Sequence, residues 1–136
     1  MHPLAKVCCQ RSADPEAQRA EILALLDAGA EIHAADKNGV TPLHHAVRFR
    51  SPAAVETLLR RGAAVNQICK RSGSTPLHRA VTSTGAPGTA GKQEEAKQIV
   101  EILLRYGADI SIKNNSGKTA ADYVRGEEIR QLLARQ

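Results

Sequence analysis

Aromatic side chains are almost missing from this sequence: no Trp, one Phe (Phe49) and two Tyr (Tyr106, Tyr123), 2% of 136 residues. A thick aromatic core is excluded. The apolar content, 42% of the chain, is carried by aliphatics that include 22 alanines, a composition suited to helices at close approach. Long hydrophobic runs are missing too; none approaches the ~18 residues of a membrane-spanning helix. Met1–Lys6 shows no basic stretch followed by an apolar one, so no secretory signal is expected. Cysteine is scarce and odd in number, with Cys8, Cys9 and Cys69 outside any C-x-x-C spacing. The thiols are expected to be reduced, which points to the cytoplasm, with the nucleus or, for a secreted effector, a host cytosol as alternatives. Acidic residues are outnumbered 14 to 19, giving a net charge of +5. Such a balance favours acidic partners without naming nucleic acid.

What the sequence does contain is repetition. Thr41-Pro42-Leu43-His44-His45-Ala46 returns 34 residues later as Thr75-Pro76-Leu77-His78-Arg79-Ala80. A second phrase occurs three times: Leu25-Leu26-Asp27-Ala28-Gly29-Ala30, Leu58-Leu59-Arg60-Arg61-Gly62-Ala63 and Leu103-Leu104-Arg105-Tyr106-Gly107-Ala108, at intervals of 33 and 45. Thr before Pro is a helix start, because the hydroxyl accepts from a free backbone N–H and Pro at the first helical position has no donor to waste. Ser51-Pro52 and Asp14-Pro15 repeat that logic. Gly29, Gly62 and Gly107 follow the longer helices and read as left-handed caps. Asp36–Gly39, Lys70–Gly73 and Asn114–Gly117 are turn sequences. Each unit is thus a turn, a short helix and a longer helix, and neither helix can bury its apolar face without stacking on a neighbour.

Two Thr-Pro-Leu-His-x-Ala copies, three Leu-Leu-x-x-Gly-Ala copies and a period near 33 resemble the ankyrin-repeat family over nearly the whole chain. The resemblance implies an all-α solenoid of about four helix-turn-helix units with short β-turn fingers, forming one domain over 1–136. The units are expected at about 1–33, 34–67, 68–112 and 113–136. Residues 2–7 and 119–124 read as degraded copies of the hexapeptide, suited to end caps. An insertion at about 84–92 reads as a flexible loop, with an extended helix from Gln93 after it. Arg50 departs from the pattern, standing where the family usually ends its first helix with Gly.

Candidate chemistry is thin. His44 and His78 fall at the motif histidine, for which the resemblance implies a hydrogen bond to a neighbouring turn; helices ~8–10 Å apart cannot bring both to one metal ion. Cys8 and Cys9 point about 100° apart on a helix, so one is expected buried and one partly exposed. Cys69 lies beside Lys70 and Arg71, whose charges can lower a thiol pKa. Glu94 and Glu95 suit the start of a solvated helix. No nucleophile–base constellation and no phosphate-cradling glycine motif is found, so no enzyme, catalytic residue, cofactor or metal is expected.

The family resemblance instead implies protein binding on the concave side, at the turn tips and the ends of the first helices. Carried over by position, this gives Lys37, Asn38, Val40, Arg48 and Phe49 in the second unit. The third unit gives Arg71, Ser72, Ser74, Thr82 and Ser83, and the fourth gives Asn115, Ser116 and Lys118. Lys37, Arg71 and Lys118 are basic, none of these residues is acidic, and Phe49 beside Arg48 fits the composition of a hot spot. Residues 34–68 carry five basic residues against two acidic ones, whereas 1–33 carry three against five. The expected partner is a protein with an acidic segment, met by a monomer, with no small-molecule substrate and no membrane. Nucleic-acid binding through the basic middle, or a regulatory or tethering role within a larger protein, are the alternatives. The resemblance also places Asn66 where asparaginyl hydroxylases act in some ankyrin proteins.

Overall fold

The computed structural model describes residues 2–9, 14–82, 93–124 and 126–135. Among them are seven α-helices and no strand. They are α1 (Pro3–Cys8), α2 (Pro15–Asp27), α3 (Pro42–Arg48), α4 (Pro52–Arg60), α5 (Pro76–Val81), α6 (Gln93–Arg105) and α7 (Glu127–Ala134); a 3₁₀ turn, Ala120–Tyr123, lies between α6 and α7. Ser83 and the expected insertion at 84–92 lie outside the described residues.

Proline punctuates the chain: five of the six open a helix. The caps before them are those the sequence suggests. Asp14 accepts from the Glu16 and Ala17 N–H groups at 3.1 and 3.2 Å, Thr75 from His78 N–H at 3.2 Å, and Ser51 and Thr41 more loosely at 3.4 and 3.5 Å. The longer helices end alike. Ala30, Ala63 and Ala108 donate N–H to Leu25, Leu58 and Leu103 across Gly29, Gly62 and Gly107 at 2.9–3.0 Å, and those glycines hold φ of 93–100°. This is the Schellman closure, whose left-handed residue glycine takes without strain.

The helices form two rows. α1, α3, α5 and the 3₁₀ turn pack side by side in one; α2, α4, α6 and α7 pack in the other. Between the rows lies one continuous aliphatic core that includes Leu4, Ile22, Leu43, Val55, Leu58, Leu77, Ile99 and Leu103, all at most 2% exposed. Ala46, Ala54, Ala80 and Ala120 are buried at the helix contacts, which is where the alanine-rich composition is used. Cys8 is buried and Cys9 half-buried, as expected for adjacent helical positions. In the fourth unit the first helix is reduced to the 3₁₀ turn.

Arg50 is the exception to glycine capping. It occupies the left-handed position after α3 with φ 55°, the one non-glycine residue with positive φ among those described. Ser51 N–H still closes on Ala46 O at 3.1 Å. The side chain is only 7% exposed and folds over two helix ends. Its Nη1 donates to Val47 O at 2.9 Å and Arg79 O at 3.1 Å, and its Nη2 to Thr82 O at 3.0 Å. A cation at two helix C-termini adds a donor to Arg79 O and Thr82 O, shares Val47 O with the Arg50 N–H, and favours both dipoles. Burial opposes its charge and lowers its pKa, while the carbonyls compensate.

Replacing Arg50 by Gly separates backbone strain from the clamp. Relief of the left-handed strain is worth about 1–2 kcal/mol, whereas three hydrogen bonds from a charged donor are worth about 1.5–3 kcal/mol each. Arg50→Gly is expected to lower stability by at least about 2.5 kcal/mol in urea unfolding, the low end of the three bonds less the strain relieved; a gain in stability would mean that the clamp contributes less than the strain.

Candidate functional site

The turns before α3, α5 and the 3₁₀ turn form one ridge. In the first, Asp36 Oδ1 accepts from Asn38 and Val40 N–H at 2.8 and 3.0 Å. In the third, Asn114 Oδ1 accepts from Ser116 and Lys118 N–H at 2.9 and 3.2 Å. Cys69 occupies the corresponding position in the second turn, where Cys69 N–H donates to Ser74 O at 3.0 Å and Gly73 N–H to Cys69 O at 2.8 Å.

Successive turns are tied to one another. Arg71 N–H donates to Asn38 O at 3.3 Å, and Asn115 N–H to Ser72 O at 2.8 Å; Asn115 Nδ2 also donates to Arg71 O at 3.3 Å. The approach is close enough that a Cβ on Gly39 would meet Lys70 N at 2.7 Å, and one on Gly73 would meet Asn115 Oδ1 at 2.5 Å.

Histidine sets the distance between turn and helix. Thr41 N–H donates to His44 Nδ1 at 3.2 Å, which leaves Nε2 as the protonated nitrogen, 3.3 Å from Ser74 O. His78 repeats the arrangement, with Thr75 N–H at 3.2 Å from Nδ1 and Lys118 O at 2.9 Å from Nε2. Both rings are thus occupied by protein partners in successive turns, as the family resemblance implies. Burial, joined by the charge of Arg79, lowers the His44 pKa to about 4.

The expected site residues divide into three groups. Lys37, Arg71 and Lys118, with Asn115 and Ser116, are exposed on the ridge, and Asn38 and Val40 are half-buried in it. Arg48, Ser74 and Thr82 line a cleft of about 210 Å3 together with His78 and Arg79. Phe49 ends α3 half-buried, with the Arg48 guanidinium 5.9 Å from its ring centroid. Thr82 spends its hydroxyl on Arg79 O at 3.3 Å and its carbonyl on Arg50. Ser72 Oγ bridges Cys69 Sγ at 3.0 Å and Ser74 Oγ at 2.9 Å. Ser83 lies outside the described residues.

Cys69 differs from expectation in cause. Its thiol is brought down to about 7, yet not by Lys70 and Arg71. Burial opposes ionisation and is overcome by hydrogen bonds from the Ser72 side chain and backbone, from Arg79 and from the Ser74 backbone. The thiol stands in the slot that a carboxylate or amide fills in the other turns, and the N–H groups that stabilise Asp36 and Asn114 there stabilise a thiolate here.

Sequence reasoning missed Arg79 and Ile68. Arg79 occupies the variable place of the hexapeptide, 34 residues after His45, and lines the cleft. Burial lowers the His45 pKa, Asp36 works against this, and Arg79 and Arg48 add to it. A signal was present: the hexapeptide varies only at this position. Ile68, 47% exposed, is a large apolar side chain at the base of the second turn and carries no periodic signal. Asn66 is half-buried and accepts Asp109 N–H at 2.8 Å while donating to Gly107 O at 3.4 Å, so a modifying enzyme must first open that connection.

Comparison with known proteins fits this geometry. A family model for ankyrin repeats, in three copies, matches residues 11–114. BRCA1-associated RING domain protein 1 of Caenorhabditis elegans is 36% identical over 98 residues, 71% of this chain and 12% of that protein. The B-cell lymphoma 3 protein homolog of Mus musculus is 36% identical over 113 residues, 82% of this chain and 22% of that protein. The solved ankyrin repeat domain of Bcl-3 superposes with a TM-score of 0.71 at 33% identity, covering 88% of this chain and 47% of that one. The chain therefore spans less than half the length of each of these proteins.

The lowered His44 pKa has a thermodynamic consequence. The unfolded chain takes up a proton near pH 6.5 that the folded chain refuses until about pH 4, so stability present above pH 6.5 is lost as pH falls toward 4. The loss from this group should reach about 3 kcal/mol between pH 7 and pH 4. His45 shifts in the same direction, and the lowered Asp36, Asp109 and Asp122 add to the loss at still lower pH. Urea unfolding across pH 4–7 should show this slope, and His44→Gln should be less stable at pH 7 but flatter; an unchanged slope in the variant would exclude His44 as its source.

Proposed function

The chain belongs to the ankyrin-repeat family, and from that premise we propose that its basic ridge and groove hold an acidic segment of another protein. Ankyrin repeats are protein-binding scaffolds, and the reading needs no catalysis. The observation that carries it is the registration of the turns. Backbone bonds from Arg71 to Asn38 and from Asn115 to Ser72 align Lys37, Arg71 and Lys118 along one edge. Asp36, next to Lys37 in the chain, accepts the Asn38 and Val40 N–H groups on Oδ1. A segment lying along this edge meets a row of cations on a backbone already ordered, so little entropy is lost by the scaffold on binding. The other expectations, a monomer in the cytoplasm, remain part of this proposal.

The test is affinity capture from source-cell lysate after nuclease treatment, at two salt concentrations, with wild type and a Lys37→Glu, Arg71→Glu, Lys118→Glu variant. Exposed charge pairs are worth up to about 1 kcal/mol each, so reversing three charges should weaken capture of an acidic protein by about a hundredfold with unchanged far-UV circular dichroism. Undiminished capture would end the ridge assignment. Capture that disappears with nuclease would move the function to nucleic acid.

A further inference from the structure

The cleft between the ends of α3 and α5 has a chemistry of its own. Two arginines, Arg48 and Arg79, line it together with Ser74, His78 and Thr82. Among the described residues neither arginine is ion-paired, although six other ion pairs form. Arg79 spends one N–H on Cys69 Sγ at 3.7 Å, and its Nε is buried with no acceptor. His45, which feels both arginines, likewise has a buried Nδ1 with no partner. The opposing charge nearby is Asp36, whose Oδ1 is occupied by two backbone N–H groups, and whatever thiolate Cys69 carries. Arg79 Nε is thus an unmet buried donor, which destabilises the site until an acceptor arrives. The floor is rigid, because Arg50 ties Val47, Arg79 and Thr82 carbonyls beneath the cleft.

We propose that this cleft is a phosphoryl-binding subsite: Arg48, Arg79 and the Ser74 hydroxyl receive the dianionic phosphoryl group of a phosphorylated side chain on the partner segment. The proposal rests on the reading of the groove as the partner-binding face and adds to it one chemical group at one place. Charge and shape favour phosphoryl over carboxylate. A carboxylate neutralises one guanidinium and leaves the second unpaired in a half-enclosed site. A phosphoryl group carries about −1.5 to −2 charge at pH 7 and three acceptor oxygens, which two planar forks and a rotatable hydroxyl can share. Arg79 is pre-positioned by Cys69, and Arg48 by the Phe49 ring, so little ordering remains to be done when the anion arrives.

The probe is phenyl phosphate, with phenylacetate as the carboxylate control at equal ionic strength and pH 7. Binding is followed by the arginine Nε–Hε correlations of 15N-labelled protein. Phenyl phosphate is expected to shift the Arg48 and Arg79 signals saturably and to bind at least about tenfold more tightly than phenylacetate. Arg48→Gln and Arg79→Gln should each weaken it about tenfold or more, the loss expected for a charge-assisted pair. Equal affinity for the two anions, no saturable shift, or full binding in both variants would overturn the proposal. Should Arg79→Gln lose helicity, Arg48→Gln decides, since Arg48 makes no hydrogen bond to the described side chains. A glutamate-rich peptide titrated into the same samples keeps the two readings apart. Peptide binding that needs Lys37, Arg71 and Lys118 while phenyl phosphate is ignored ends the subsite and leaves the ridge standing. A phosphate response without peptide binding does the reverse.

Discussion

A neutral imidazole wedged between consecutive repeats governs this structure. His44 reads the start of its own helix through Nδ1 and the next turn through Nε2, and His78 does the same one repeat later. Because one rigid ring touches both, the spacing between helix row and turn ridge cannot drift from one unit to the next. The registration of Lys37, Arg71 and Lys118 follows from it. So does a vulnerability: the His44 ring serves as a latch only with Nδ1 unprotonated, and burial, joined by the charge of Arg79, holds its pKa down to about 4.

Where the repeat loses its standard part, another chemistry takes its place. Ala5 stands at the motif histidine in the first unit, and there Gln18, 3% exposed, bridges instead. Its Nε2 donates to Val7 O at 3.1 Å and its Oε1 accepts from Ser51 Oγ at 2.6 Å. Arg50 stands at a glycine position and exchanges backbone ease for a cross-repeat clamp. Cys69 stands at an Asp or Asn position and completes its turn with sulfur. In each case the backbone demand is the same, an orphan N–H or carbonyl to be satisfied, and the side chain differs.

The last two substitutions lie around one cleft, and they account for its character. Arg50 takes up the Val47, Arg79 and Thr82 carbonyls, and Cys69 offers Arg79 only a weak sulfur acceptor at 3.7 Å. The result is a pair of cations with no ion-pair partner among the described residues. Surface ion pairs elsewhere, such as Arg61 with Asp27 at 3.0 Å and Lys97 with Glu128 at 3.1 Å, join neighbouring repeats in ordinary fashion and contribute little individually.

The architecture was legible in the sequence because its determinants are local. Thr-Pro starts, Gly-Ala stops and the 33-residue period each act within a few residues of where they are written, and they dictate helices, turns and stacking. The long α6 from Gln93 could be read from the 45-residue interval and the insertion it holds. The groove's chemistry was not legible in the same way. That Ser72, Arg79 and Ser74 rather than Lys70 and Arg71 condition Cys69 depends on how its own turn closes, and that Arg50 caps a helix 29–32 residues away, with Thr82 spent on that cap, depends on contacts between repeats. The charged neighbours Lys70 and Arg71 are exposed, whereas residues one period apart, such as Arg48 and Thr82, line one cleft. By itself the sequence determined the repeat and its caps; only the stacking of one repeat on the next decided which charges meet, because electrostatic partners are set by distance through space and not along the chain.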